Sequence, residues 1–356
     1  MFLALREMRR SRGKFSLILV VISLVCFLAF FLTSLAYGLA SSYTEGLERF
    51  GADGYVLNGE ADGNSLLSLI GEEKGEDLKI AGAKAYFGVT PAVLGHPESD
   101  GSLIDREEVY VFGIDSAGFL LPEGHESLSD GEALVDQSLK GQGYALGDTL
   151  GLSGSSLTLK VAGFVDGYTY QTAPMVLTTI PSWRQLRFGM TDPPDLLSGV
   201  AIKGEVTSID ESLEFFTSRE FAFNLPGYMA QVLTFGLMIG FLILIDSLVI
   251  AIFVYVLTTQ KTNLFGVMKA EGIPDSYISA SVLDQTMILT LGGMVIGLAL
   301  ALILGFALPS SVPFALNPLF LAVIAVLFVT FAGLGGLFSV RQVLRIDPLV
   351  AMGKGE

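Results

Sequence analysis

The chain has 356 residues, is 51% hydrophobic with a mean hydropathy of +0.60, and yet carries a net charge of −15. That pairing describes a membrane protein with a large acidic soluble part, and it argues against nucleic acid as a partner. A single cysteine, Cys26, excludes a disulfide within the chain, and no CxxC, HExxH or phosphate-cradling GxxxxGK[ST] occurs, so any use of ATP must come through a partner.

The N-terminal stretch 1–14 holds Arg6, Arg9, Arg10, Arg12 and Lys14 against one acid, Glu7. Residues 15 to 44 are then uncharged. A signal peptide competes here, since Ser34-Leu35-Ala36 resembles a cleavage site, but signal h-regions run about 7–15 residues whereas about 20 span a bilayer. The stretch therefore predicts an uncleaved first transmembrane helix over 15–40, with its basic flank in the cytoplasm. From Ser41 to Pro226 there are 29 acidic and 11 basic residues. β-type runs recur at Tyr55–Leu57, Val109–Phe112, Leu157–Val161, Met175–Thr179 and Gly199–Ile202, separated by turn residues, which predicts a mixed α+β domain over 41–227. Reached by an outward-going helix, that domain is expected to be extracellular.

A second transmembrane helix is predicted over 228–258, a third over 277–308 and a fourth over 319–340, with a short extracellular turn at 309–318. Between the second and third lies the polar segment 259–276, whose Lys261, Lys269, Glu271 and Asp275 cannot stay in hydrocarbon at a cost of about 2.5–3.5 kcal/mol per charge. Its interior, Phe265 to Gly272, reads as a short helix stopped by Gly272 and Pro274. The tail 341–356 carries Arg341, Arg345 and Lys354. Across the presumed cytoplasmic parts, 10 Lys/Arg face 5 Asp/Glu, which places both termini in the cytoplasm of a plasma-membrane protein. The fold class is an α-helical integral membrane protein with four transmembrane helices and an α+β extracellular domain between the first and second.

Gly236-xxx-Gly240 and Gly293-xxx-Gly297 permit close helix approach, most simply as packing within the chain. Asp246, deep in the second span, takes either a hydrogen-bonded structural role or a contact with a partner. Glu45 and Glu48 extend the first helix by one and two turns and share a face at i, i+3 spacing. Tyr43, Tyr170 and Tyr228 read either as interface anchors or as groups acting near the membrane surface. Lys261 and Lys269 read either as partner contacts or as positive-inside charges.

The loop QKTNLFGVMKAEGI (260–273) resembles the coupling segment of MacB/FtsX-like ABC exporter permeases, and RIDPLVAMG (345–353) resembles their closing signature around Asp347, Pro348 and Ala351. Within that family the chain is most similar to the Hrt-type haem-efflux permeases of Gram-positive bacteria. The shared stretches are AYGLxxxxxxxLExF (36–50), VAGFVDGYTYQT (161–172), the Tyr228 region and the VPF turn (312–314). The resemblance implies a type VII ABC exporter architecture, and a homodimeric permease without a nucleotide site or intrinsic cofactor. It also implies two copies of a separate ATPase that carries ATP and Mg. The coupling residues it implies are Lys261, Phe265, Lys269, Glu271 and Gly272. Haem would enter sideways from membrane lipid and be expelled. Exporters of another amphiphile, such as an antimicrobial peptide or lipid, and FtsX-like signalling scaffolds share the pattern.

Haem iron is usually held by His, Cys, Met or Tyr, yet neither His96 nor His125 lies near a span, and Cys26 sits mid-helix. Release favours oxygen ligands, and ferric iron is a hard ion. Glu48, which matches the LExF pattern, is the first candidate axial ligand. Glu45, Tyr228 and Tyr170 follow, with Met229 as a pocket wall and Arg49 either as a propionate partner or as a surface ion-pair partner. A solvated helix-end carboxylate is the plainer reading of Glu48.

Overall fold

The computed structural model describes residues 6, 12–98, 102–190, 192–309 and 312–344. The chain divides into two compact units, Leu39–Leu233 and the remainder, Met1–Gly38 with Thr234–Glu356. The first helix, α1, runs Arg12–Ser42. It does not continue through Glu45 and Glu48. The chain turns at Tyr43 and Thr44 and starts a separate short helix, α2 (Glu45–Phe50), which ends on Gly51 in the left-handed conformation at φ 61°. The break is held from outside. Gln171 and Thr172, both with positive φ, donate backbone N–H bonds to the carbonyls of Tyr43 (3.1 Å) and Ser42 (3.3 Å), satisfying the last carbonyls of α1.

The β-rich unit continues with β1 (Gly54–Asn58), β2 (Ile70–Gly71), α3 (Glu72–Glu76), β3 (Lys79–Pro97), β4 (Leu103–Ile114) and β5 (Glu132–Asp136). Then come α4 (Ser138–Gly141), β6 (Thr149–Leu152), β7 (Thr158–Val165), β8 (Thr169–Tyr170), β9 (Ala173–Thr179) and α5 (Ile180–Phe188). It closes with β10 (Leu196–Leu197), β11 (Gly199–Ser208), β12 (Leu213–Thr217) and α6 (Ser218–Asn224). The main sheet runs β12-β1-β11-β3-β4-β9-β5-β7-β6, and a further pairing of β3 with β6 bends its far half into a closed ring. Apolar side chains of that ring, among them Val111, Val135, Leu150 and Val161, fill its interior with Trp183. β3 carries glycine where sequence patterning expects branched residues, and the reason is steric. Gly88 pairs with Gly113 across β3 and β4, and a Cβ on either would overlap Trp183.

The helical unit is completed by α7 (Tyr228–Thr259), α8 (Thr262–Ala270), α9 (Asp275–Ala307) and α10 (Pro318–Leu344). Helices α1, α7, α9 and α10 are each long and apolar enough to cross a membrane. On α1 the buried stripe Phe15, Ile18, Ile22, Cys26, Ala29 and Phe30 follows helical spacing, while Leu17, Val20 and Leu24 stay exposed on the other side, as lipid-facing positions require. Gly293 and Gly297 of α9 receive α1 directly. A Cβ on Gly297 would lie 2.7 Å from the Phe27 nitrogen and 2.8 Å from the Cys26 Cβ. A Cβ on Gly236 or Gly240 of α7 would meet nothing within 4 Å among the described residues. The 312–314 turn packs on the same bundle, with Phe314 against Phe31 at 5.6 Å. The tail signature around Asp347 lies outside the described residues.

Candidate functional site

A cleft of about 470 Å³ opens in the β-rich unit, lined by Thr44, Leu47, Glu48 and Ala52 on one side and by Ser218, Arg219, Ala222, Phe223 and Tyr228 on the other. That volume lies within the range of small-molecule sites. Two local devices shape it. On the first side, the turn at Tyr43 and Thr44 separates α2 from α1, and the Thr44 hydroxyl donates to Glu48 Oε1 at 3.4 Å. On the second, a capping box starts α6: Thr217 Oγ1 accepts the Glu220 N–H, and the Glu220 carboxylate accepts the Thr217 N–H at 2.9 Å. One turn apart on that helix, the Arg219 guanidinium sits 5.6 Å from the centroid of the Phe223 ring. Gly227, at φ 81°, then turns the chain so that Tyr228 faces Phe223 (5.9 Å) and Tyr43 (5.5 Å).

The cleft thus presents a carboxylate, a phenol, a guanidinium and aromatic faces to one volume. Of the residues expected from sequence, it gathers Glu48 and Tyr228 and leaves the others outside. Glu45 turns the other way, towards Arg49 (3.7 Å), and Arg49 also reaches Asp166 at 3.9 Å. Arg49 is therefore occupied by surface carboxylates, and the cation in the cleft is Arg219. Burial is the largest influence on the Glu45 carboxyl and pushes it up, against the opposing pull of Arg49. Met229 is exposed and does not line the cleft. Tyr170 is a core residue: fully buried, hydrogen-bonded to the Ser65 hydroxyl at 2.8 Å, and edge-on to Tyr110 and Phe112. Burial pushes its phenol up to about 12, which removes it from ligand chemistry near neutrality. The stretch around it caps α1, as described above. Sequence reasoning missed Arg219 and Phe223, although both lie within ten positions of Tyr228.

The polar segment between α7 and α9 forms α8, ended by Gly272 at φ 83°. Leu264, Val267 and Ala270 are exposed on it, as are Glu271 and Gly272 just after it. Phe265 is buried in the bundle rather than presented to a partner. The Lys269 side chain is only 10% exposed and pairs with Asp275 at 3.0 Å. Lys261 Nζ donates to Gln285 Oε1 at 2.8 Å and lies 5.0 Å from the Phe15 ring centroid.

Residues 236–348 match the FtsX-like permease C-terminal family, a match that includes α8, α9 and α10. That stretch, about a third of the chain, carries the likeness to an FtsX-like permease domain. Similarity to other proteins extends along the chain in full. A Staphylococcus haemolyticus protein carrying the name hemin transport system permease protein HrtB is 24% identical over 361 residues, 99% of each chain. Its Staphylococcus epidermidis (RP62A) namesake is 24% identical over 362 residues, all of each chain. An uncharacterized ABC transporter permease of Mycobacterium tuberculosis H37Rv is 26% identical over 361 residues, 99% of each chain. With four such apolar helices the chain is a membrane protein, and its likeness to these permeases covers the cleft as well as the helices.

Proposed function

We propose that this chain is the membrane subunit of an ABC efflux pump that takes haem from the lipid phase and expels it, driven by ATP hydrolysis on a separate ATPase subunit. The observation that carries the reading is the cleft, whose groups complement haem and whose two sides both fall within the stretch shared with the HrtB permeases. Glu48 offers a carboxylate oxygen to ferric iron, with the Tyr228 phenol as the second oxygen donor. Arg219 suits a propionate, and the Phe223 and Tyr228 rings suit a flat apolar macrocycle. Glu45, Arg49, Tyr170 and Met229 have no contact role in this reading.

The same reading makes the functional unit a homodimer bearing two ATPase copies, with both termini in the cytoplasm and α8 resting on the ATPase. α7 supports a second copy: Leu237, Phe241, Leu244 and Leu248 are all exposed, and among the described residues none lies within 4 Å of where a Cβ on Gly236 or Gly240 would sit. Hemin release from proteoliposomes holding the permease and its ATPase tests the proposal. ATP-dependent release that stops in Glu48→Ala supports it, and release unaffected by ATP rejects it. Export of another amphiphile with no response to hemin would replace the substrate and keep the pump.

A further inference from the structure

Two lysines of the polar segment turn toward groups of the helical unit itself: Lys261 toward buried side chains, and Lys269, itself only 10% exposed, toward the half-exposed Asp275. Lys261 precedes α8. Its Nζ meets Gln285 of α9 (2.8 Å) and the Phe15 ring of α1 (5.0 Å to the centroid). Gln285 is 6% exposed and Phe15 4%. The same small crevice is walled by Thr258, Phe265 and Thr286, and its one lysine bridges α9 and α1. At the far end of α8, Lys269 pairs with Asp275, the first residue of α9. Charge-assisted bonds at both ends of α8 are the strong kind and fix its position against α9. Phe265, 3% exposed between them, supplies the apolar floor.

We propose that Lys261 and Lys269 are positioning residues that clamp α8 onto α1 and α9, and are not contacts for the ATPase. The proposal rests on the reading that α8 is where the ATPase acts. A push on α8 then displaces α9 through two fixed points and α1 through Phe15. Without the clamps, α8 still meets its partner through Leu264, Val267 and Glu271 but moves alone.

The test uses the full permease–ATPase complex in lipid nanodiscs, with two readouts that need no transported substrate. One is the amount of ATPase retained on the purified permease. The other is the ATP-driven change in hydrogen exchange over residues 41–52. Lys261→Met is expected to retain the ATPase yet lose the ATP-driven change about tenfold, the effect of one charge-assisted hydrogen bond. Gln285→Leu should reproduce it, the double variant should be no worse than either single one, and Lys261→Arg should keep most of the response. The exchanged pair Lys269→Asp with Asp275→Lys should recover what either reversal alone loses. Thermal melts of all variants identify any that lose the fold, and the arginine and exchanged variants decide the matter if Lys261→Met melts. A silent Gln285→Leu beside a Lys261→Met that sheds the ATPase would overturn the proposal, as would failure of the exchanged pair to recover. A wild-type permease that retains no ATPase would instead overturn the reading beneath it.

Discussion

The rings of Tyr43 and Tyr228 pack with centroids 5.5 Å apart and planes at 45°, joining the residue that follows α1 to the residue that opens α7. The contact places Thr44 and Glu48 on one side of the cleft and Phe223 and Arg219 on the other. It also makes the cleft depend on the α1 break, because Tyr43 is held by the Gln171 amide.

The first prediction concerns the β-rich core. Gly88→Ala or Gly113→Ala drives a methyl into Trp183 and should destabilise the protein by about 1–3 kcal/mol, the usual cost of overpacking. Adding Trp183→Leu to Gly88→Ala should cost less than the sum of the two changes, since the clash partner is gone. Denaturant titration of the three variants reads this, and strict additivity would show that the glycine–tryptophan contact is not the constraint.

Much of this unit was legible. The five β-type runs named from the sequence each fall on a strand, with Leu157 one residue before β7, because branched and aromatic side chains next to turn residues mark a strand. The strand β3 was not legible, since Gly82, Gly88, Pro91 and Gly95 read as breakers. Their reason lies in tertiary contacts with Trp183 and with β4 and β11. The α1 break was hidden for the same kind of reason: nothing in Ser41-Ser42-Tyr43-Thr44 stops a helix, and the cap arrives from residues 171 and 172. At the site, Glu48 and Tyr228 were found through local pattern. Arg219 was missed because nothing local says that α6 folds back over α2. The inward turn of Lys261 depends on Gln285, 24 positions away.

A second prediction follows from Glu45. Its carboxyl is raised above the ordinary 4.5, chiefly by burial, with Arg49 opposing and Asp166, Asp136 and Glu48 adding. The folded protein therefore holds this proton more tightly than the unfolded chain. The contribution to stability is complete below the unfolded value and is lost as pH rises through the folded one. Glu45→Gln should flatten the stability–pH curve just above the ordinary carboxylate range, as read by melting temperature. An unchanged slope would contradict the assignment.

A third prediction concerns Asp246, which is 2% exposed in the bundle, with Oδ2 lacking a hydrogen-bond partner among the described residues. A neutral amide of the same shape costs less to bury than a carboxylate. Asp246→Asn should raise the melting temperature, by about 1–3 kcal/mol in stability. A fall would mean that the carboxylate is used by the assembled protein.

The two glycine pairs supply a fourth. Gly297→Val meets the backbone of α1 and should cost about 1–3 kcal/mol. At Gly236 a Cβ meets nothing within 4 Å among the described residues, so Gly236→Val should change the stability of the isolated subunit by less than about 0.5 kcal/mol. If that change nonetheless disrupts a dimer in native mass measurements, the exposed face of α7 is the contact between copies; equal destabilisation by both substitutions would contradict the packing described.

The central claim is that the cleft holds haem, and hemin titration into the purified permease tests it most directly. Soret and charge-transfer bands are followed in wild type, Glu48→Ala, Tyr228→Phe, Arg219→Ala and, as controls, Glu45→Gln and Tyr170→Phe. The account predicts that Glu48→Ala changes the spectrum and weakens binding, that Tyr228→Phe shifts the charge-transfer band, and that Arg219→Ala weakens binding about tenfold with an unchanged spectrum, the loss expected of one charge-assisted pair. Both controls should match wild type. Identical spectra and affinities in all six proteins would place the iron elsewhere, and no hemin binding by wild type would contradict the account altogether.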